Sequence, residues 1–208
     1  MNIRTLLLTV ILVFGGMSYA LGQQPDTYLI NEIESYQDSL DQAFQNRDTS
    51  PLKEEDFERF TGLDYFPINL DYYIKAKFIR TPNQPPFKMP TTTSEVKTYE
   101  KYGELHFSIY GRAVSLDVFQ SHELRETEKY KNYLFLPFRD ETNGEETYGG
   151  GRYLEMWIPA GDSVIVDFNK AYNPYCVYNT KYSCPLVPKQ NRMDVPVYAG
   201  VKDFGNIK

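Results

Sequence analysis

The chain has 208 residues and a formal net charge of −6, with no block of lysine and arginine, so nucleic acid and anionic membrane surfaces are poor partners for it. Eighteen tyrosines and 13 phenylalanines stand against one tryptophan and two histidines. That aromatic load excludes a disordered chain and favours β-structure. The shortage of histidine leaves little room for histidine catalysis or histidine-rich metal sites, and no motif in the chain asks for a metal or a cofactor.

The first residues read as a leader. Asn2, Ile3 and Arg4 make a short positive start, and an apolar run from Leu6 to Phe14 is broken only by Thr9. Gly15, Gly16 and Ser18 follow, then Ala20-Leu21-Gly22, with small residues where a signal peptidase inspects the chain. This is the layout of a secretory signal over residues 1–22, and the apolar run is too short to span a bilayer. No cysteine lies at the cut, which excludes a lipoprotein anchor. The expectation is export, to the periplasm or beyond the cell, with no membrane span in the mature chain. Residues 23–208 then fold as a single domain that carries −7, because Arg4 is the only charged side chain removed. A chain of that length buries roughly 70% of its unfolded surface, enough for a core without metal or many disulfides.

Apolar residues Leu29, Ile30, Ile33, Tyr36, Leu40, Ala43 and Phe44 recur at steps of three and four, which predicts an amphipathic helix over 28–44. Ser50-Pro51 followed by acids predicts a second, short helix running to about Phe60, before Gly62. Beyond Asp71 the period changes to two, with Ile74, Ala76 and Phe78 on one face of a strand. The passage holding Pro82, Pro85, Pro86 and Pro90 suits a loop or an irregular edge strand. Gly111, first in a two-residue loop, predicts a type II′ hairpin that pairs Ile109 with Val114, Phe107 with Leu116 and Leu105 with Val118. The same register sets His106 opposite Asp117. The charged stretch 121–131 reads as an exposed loop or helical turn, and 133–138 as a fully apolar strand. Asn143-Gly144 marks a turn, and two more alternating strands follow around Met156 and Val166 on either side of Gly161-Asp162. The fold class is mainly β (α+β), an antiparallel β-sandwich or partly open barrel with one or two N-terminal helices.

Phosphate-cradling, nucleophile-elbow and dinucleotide-binding motifs are missing from the chain. Cys176 and Cys184 enclose seven residues and, in an exported protein, most simply form a disulfide; a redox thiol pair or a metal site are the alternatives. If the last two strands formed a hairpin, Leu154 would face Phe168 and Met156 would face Val166. Glu155 and Asp167 would then stand opposite each other, available for acid–base chemistry or a cation. A salt bridge to Arg152 or Arg139, or a shifted register, would account for them as well.

Four blocks stand out together: Phe138-Arg139-Asp140 with residues 145–154 (EETYGGGRYL), residues 167–176 (DFNKAYNPYC), residues 182–188 (YSCPLVP), and Asn191-Arg192. With the earlier segment 60–67 (FTGLDYFP), in this order and spacing, they resemble the bacterial and archaeal family known as domain of unknown function 1684. The resemblance runs from about Asp38 to Gly200. It implies no activity, and the chain departs from the family's pattern at Tyr175 and Val187, where proline is usual. The polar residues it singles out are Arg139, Asp140, Tyr148, Arg152, Tyr153, Asp167, Asn169, Asn173 and Arg192.

Arginines, amides and tyrosine hydroxyls beside three glycines read as a pocket for a small polar or anionic ligand, built from Arg139, Tyr148, Arg152, Asp167, Asn169, Asn173 and Arg192. The same residues would equally serve as a buried polar network that fixes the fold. Three functional readings stand: a ligand-binding domain, a hydrolase using Asp167 with Glu155 or Tyr148, and a structural or interaction protein of the cell envelope. Tyr148, Tyr153, Tyr172, Tyr175, Tyr178, Tyr182 and Tyr198 crowd the C-terminal third, which is where a site of any kind is expected.

Overall fold

The helical period set by Ile33, Tyr36, Leu40 and Phe44 is realised as α1 (Gln24–Gln45), with Ile33 and Phe44 buried. The computed structural model describes residues 24–206, so the leader read from residues 1–22 lies outside them. Ser50 does not cap a helix. Its Oγ accepts the Leu52 N–H at 3.3 Å in a local turn, so α2 (Glu54–Phe57) starts only after Lys53 and is a single turn long.

The strands are β1 (Tyr73–Arg80), β2 (Phe87–Pro90), β3 (Val96–Ile109), β4 (Arg112–Ser121), β5 (Tyr133–Phe138), β6 (Arg152–Trp157) and β7 (Ser163–Asp167). They form one antiparallel sheet in the order β6-β5-β4-β3-β1-β7, with β2 added to the first half of β3. The sheet curls into a half-barrel, so of the two expected architectures the partly open barrel is the one adopted. Among the described residues no helix is long and apolar enough to cross a membrane.

The β3–β4 hairpin keeps the predicted faces but not the predicted register. Its two loop residues are Tyr110 and Gly111, at φ 48° and 79°, as a type I′ turn requires. Phe107 therefore faces Val114 and Leu105 faces Leu116, a slip of two residues that leaves every side chain on its own face. Tyr110 takes the left-handed backbone while its ring packs edge-on against Tyr72, 5.8 Å between centroids. His106 consequently faces Ser115 and hydrogen-bonds Glu104 at 2.9 Å; Asp117 instead faces Glu104, with Lys101 bridging the two carboxylates at 2.6 and 2.8 Å.

A larger correction concerns β6 and β7. They do not pair with each other: β6 lies on β5, with Glu155 opposite Phe135, and β7 lies on β1, with Asp167 opposite Tyr73. Local alternation along β6 and β7 gave which residues face inward, but β6 pairs back onto the preceding strand β5 and β7 is claimed by the remote β1. They end as the two free edges of the half-barrel.

Two cores result from the alternation along β5 and β6. Leu134, Leu136, Phe138, Leu154 and Met156 point into the main core, while Tyr133, Phe135 and Tyr153 point to the opposite face with Tyr99 and Phe119. The main core is closed by an extended strap, residues 193–201, in which Met193, Val195, Val197, Ala199 and Val201 are buried at every second position.

Candidate functional site

The strap belongs to none of the seven strands, so the polar motif residues collect its backbone groups one by one. Arg152 has no exposed surface. Its Nη2 donates to Asp140 Oδ2 at 2.9 Å and to the Val197 carbonyl at 2.8 Å, and its Nη1 donates to the Ala199 carbonyl. Asp140 Oδ1 in turn accepts the Val197 N–H at 3.1 Å and the Thr142 hydroxyl at 2.6 Å.

Three asparagines act as stand-ins for strand edges. Asn191 donates to the Asp117 and Pro137 carbonyls at 2.8 and 2.7 Å and accepts the Asp117 N–H at 2.9 Å, linking β4 to β5 where Pro137 has no N–H to offer. Asn169 exchanges two bonds with the Asn69 backbone, at 2.9 and 3.0 Å. Asn173 donates to the Lys202 carbonyl at 2.8 Å. For Arg152, Asn169 and Asn173 the geometry is that of a network bracing the fold.

The remaining members of the predicted set are dispersed. Arg139 reaches the Gly149 carbonyl at 2.7 Å, Arg192 is exposed, and Tyr148 is half-buried. Asp167 is buried at the end of β7. Its Oδ1 accepts from the Asn169 N–H at 3.1 Å and from Asn169 Nδ2 at 2.9 Å. Of the seven, Asp167 alone lines either of two neighbouring cavities, of about 510 and 430 Å³.

The larger cavity, about 510 Å³, lies on the other face of the sheet. Tyr153 and Glu155 of β6 and Tyr133 and Phe135 of β5 form its floor, because alternation sends these residues away from the main core. Tyr36 and Leu40 of α1 make one wall; Tyr172, Tyr175 and Tyr182 with Cys184 make the other; Lys97 and Tyr99 of β3 stand at one end. The rings hold one another edge-on: Phe135 to Tyr153 at 4.7 Å, Tyr153 to Tyr172 at 5.9 Å, Tyr175 to Tyr182 at 5.3 Å. The Tyr153 hydroxyl donates to the Pro185 carbonyl and ties the floor to the wall.

Among the described residues that line the cleft, Glu155 is the one carboxylate and Lys97 the one ammonium. Glu155 keeps an exposed side, yet desolvation against the rings lifts its carboxyl above the usual carboxylate range, opposed by a hydrogen bond from the Tyr172 hydroxyl, 3.4 Å from Oε1, and by the charge of Lys129. Burial likewise raises the phenols of Tyr36, Tyr133, Tyr153 and Tyr172, and that of Tyr99 to about 12, so they remain neutral donors at physiological pH.

A model of the family described as protein of unknown function (DUF1684) matches residues 58–202. The chain belongs to the DUF1684 family. This DUF1684 domain is also similar to the solution NMR structure of an uncharacterized protein of Haloarcula marismortui. The two share 30% identity with a TM-score of 0.66, over 86% of this chain and 96% of that one. No curated protein matches.

Cys176 and Cys184 are both free thiols in the structure, in contact: the Cys176 N–H donates to Cys184 Sγ at 3.1 Å. A hydrogen bond from Cys184 lowers the Cys176 thiol to about 6, while the Cys184 thiol is raised as the donor of that pair and by burial. Of the tyrosines crowded in the C-terminal third, Tyr153, Tyr172, Tyr175 and Tyr182 line the cleft, while Tyr148, Tyr178 and Tyr198 do not. Tyr36, Tyr99, Tyr133 and Lys97 were missed, because they reach the cleft from α1, β3 and β5, and no local pattern separates them from ordinary core residues.

Proposed function

We propose that this protein is a non-catalytic binding domain that holds a small organic ligand in the tyrosine-lined cleft. The observation that carries this reading is a preformed concavity of ligand size whose lining is largely aromatic, with one carboxylate and one ammonium to orient what enters. Arg152, Asn169 and Asn173 brace the walls and do not touch the ligand. The test is chemical-shift mapping with a library of small fragments on the isotope-labelled protein. Shifts should concentrate on Tyr99, Tyr153, Tyr172 and Tyr182. Shifts that centre instead on Arg139, Tyr148 and Arg192 would return the site to the arginine motif, and a library without effect would remove the binding function.

Two features complete the proposal. Export rests on the leader at residues 1–22. In an oxidising compartment the Cys176 and Cys184 thiols form a disulfide, fastening the wall segment that carries Tyr175, Tyr182 and Cys184 itself. A loop this short is stabilised by about 2–3 kcal/mol on closure. Intact-mass measurement of the secreted protein without reductant should give two hydrogens fewer than the reduced form; equal masses would refute the bridge.

A further inference from the structure

The thiols of Cys176 and Cys184 meet in an asymmetric setting. Cys176 lies in the single 3-10 turn Tyr175–Val177 and is partly exposed, whereas Cys184 is buried. The segment around Cys184 is fastened to the end of β2. The Thr92 N–H donates to the Cys184 carbonyl at 2.9 Å, the Cys184 N–H donates to Thr92 Oγ at 3.1 Å, and the Leu186 N–H donates to the Pro90 carbonyl at 2.8 Å. Donors therefore converge on the Cys176 sulfur: the Cys184 thiol, the Thr92 hydroxyl and amides of the turn itself. The other acceptor within reach of that hydroxyl is the Tyr182 carbonyl at 3.4 Å, a weaker one than an anionic sulfur. Lys97 adds a positive charge on the side of Cys184, and burial keeps the facing phenols of Tyr148 and Tyr153 neutral. Each of these favours a thiolate at Cys176. Among the described residues no third cysteine, histidine or carboxylate comes close enough to complete a metal site with the pair.

A bridge here closes a short loop, which constrains the unfolded chain less than a long one. Its reduced form also keeps hydrogen bonds of its own, and a stabilised dithiol makes the disulfide easier to reduce. We propose that Cys176 and Cys184 form a thiol–disulfide exchange site for a small thiol or its disulfide, with Cys176 meeting the partner and Cys184 closing the internal bridge. In the oxidised domain a partner thiolate attacks Cys176 Sγ. The S–S bond breaks, and its electron pair goes to Cys184 Sγ, which takes up a proton. A second partner thiolate then attacks the partner sulfur of the mixed disulfide, releasing the partner disulfide and the Cys176 thiolate. Two electrons pass from two partner thiols to the pair, and the reverse sequence oxidises the reduced domain. The exchange needs no occupant in the tyrosine cleft, so it goes beyond the binding function and stands if that function fails.

The test begins with the secreted protein, reduced, freed of reductant and treated with iodoacetamide across a pH series, with alkylation mapped by peptide mass. Cys176 should react at least about tenfold faster than Cys184, with a rate midpoint at least one pH unit below the value of about 8.5 for a free cysteine. Thr92→Val should move that midpoint upward and Thr92→Ser should restore it, a response that a merely structural threonine would not give. Oxidised glutathione is the second probe. It should convert the parent to the internal disulfide with release of two glutathione thiols. Cys184→Ser should stop at a mixed disulfide on Cys176, and Cys176→Ser should form none. If either serine variant melts far below the parent, the parent decides alone: excess reduced glutathione should reopen its bridge without denaturant. Equal alkylation of the two cysteines, a midpoint in the free-cysteine range, or a bridge that reduced glutathione leaves intact would overturn the proposal and leave a structural disulfide. No bridge at all would end both.

Discussion

A guanidinium with no contact to water is tolerated only where its donors are met, and Arg152 meets strap carbonyls and Asp140 with both terminal nitrogens, leaving Nε without a partner. Arg152→Ala should therefore cost about 3–5 kcal/mol in urea denaturation, because it strands the Asp140 charge and the carbonyls together. Arg152→Lys should recover little of it, since a lysine cannot reproduce the planar fork. Glu155 shows the opposite economy. Its folded carboxyl titrates above its unfolded one because burial penalises the charge. Above the raised folded value both states are ionised and the penalty is present in full; as pH falls through that value the native state takes up its proton first and the penalty fades. Glu155→Gln should thus raise the melting temperature at neutral pH, with the gain shrinking on acidification, as thermal melts across that range would record.

At the level of elements, faces were legible in the sequence and partners were not. The alternation around Leu154 and Val166 assigned those side chains to their sides, because a strand's period of two is local; the fully apolar 133–138 gave a strand but not its two faces, both of which are buried. The hairpin turn escaped by two residues, since Tyr110 takes a left-handed conformation with its ring packed on Tyr72, in the short turn just before β1 and remote in sequence. The β6–β7 hairpin failed for a deeper reason: adjacency in sequence favoured it, but pairing β6 with β5 and β7 with β1 lets the sheet curl and bury both faces. The asparagine stand-ins were equally hidden, as each serves a backbone far away in sequence. The glycine run belongs to the same account. Gly151 lies at φ 99°, and a Cβ there would stand 2.5 Å from the Phe138 carbonyl, at the start of β6. Gly151→Ala should cost about 2 kcal/mol or more. Gly144→Ala, at φ 93° with nothing within 4 Å of the added carbon, should cost clearly less, a ranking that parallel denaturation curves would establish.

Across the whole molecule the half-barrel leaves one side open between β6 and β7, and α1 is what covers it. The helix is held by a few contacts: Ile33 and Phe44 in apolar seats, Gln37 Nε2 donating to the Asn169 carbonyl at 3.3 Å, and Asp41 Oδ1 accepting the Leu63 N–H and the Tyr65 hydroxyl at 3.1 Å each. The β3–β4 ladder, by contrast, runs nearly the full length of both strands. Elements held by few contacts open at lower free energy than those in the central sheet. Amides of α1 should therefore exchange with deuterium well before those of β3 and β4, and Phe44→Ala should widen the gap, since losing a buried phenylalanine costs about 3–5 kcal/mol and the loss falls on the docked helix first. Tyr36 and Leu40 are part of the cleft wall, so any occupant of the cleft touches the helix and the sheet at once and must stabilise the docked state by its binding free energy. Exchange measured with and without a bound fragment should accordingly show slower α1 exchange in the complex while β3 and β4 hardly change. Uniform protection, or none at α1, would mean that the ligand sits away from the helix.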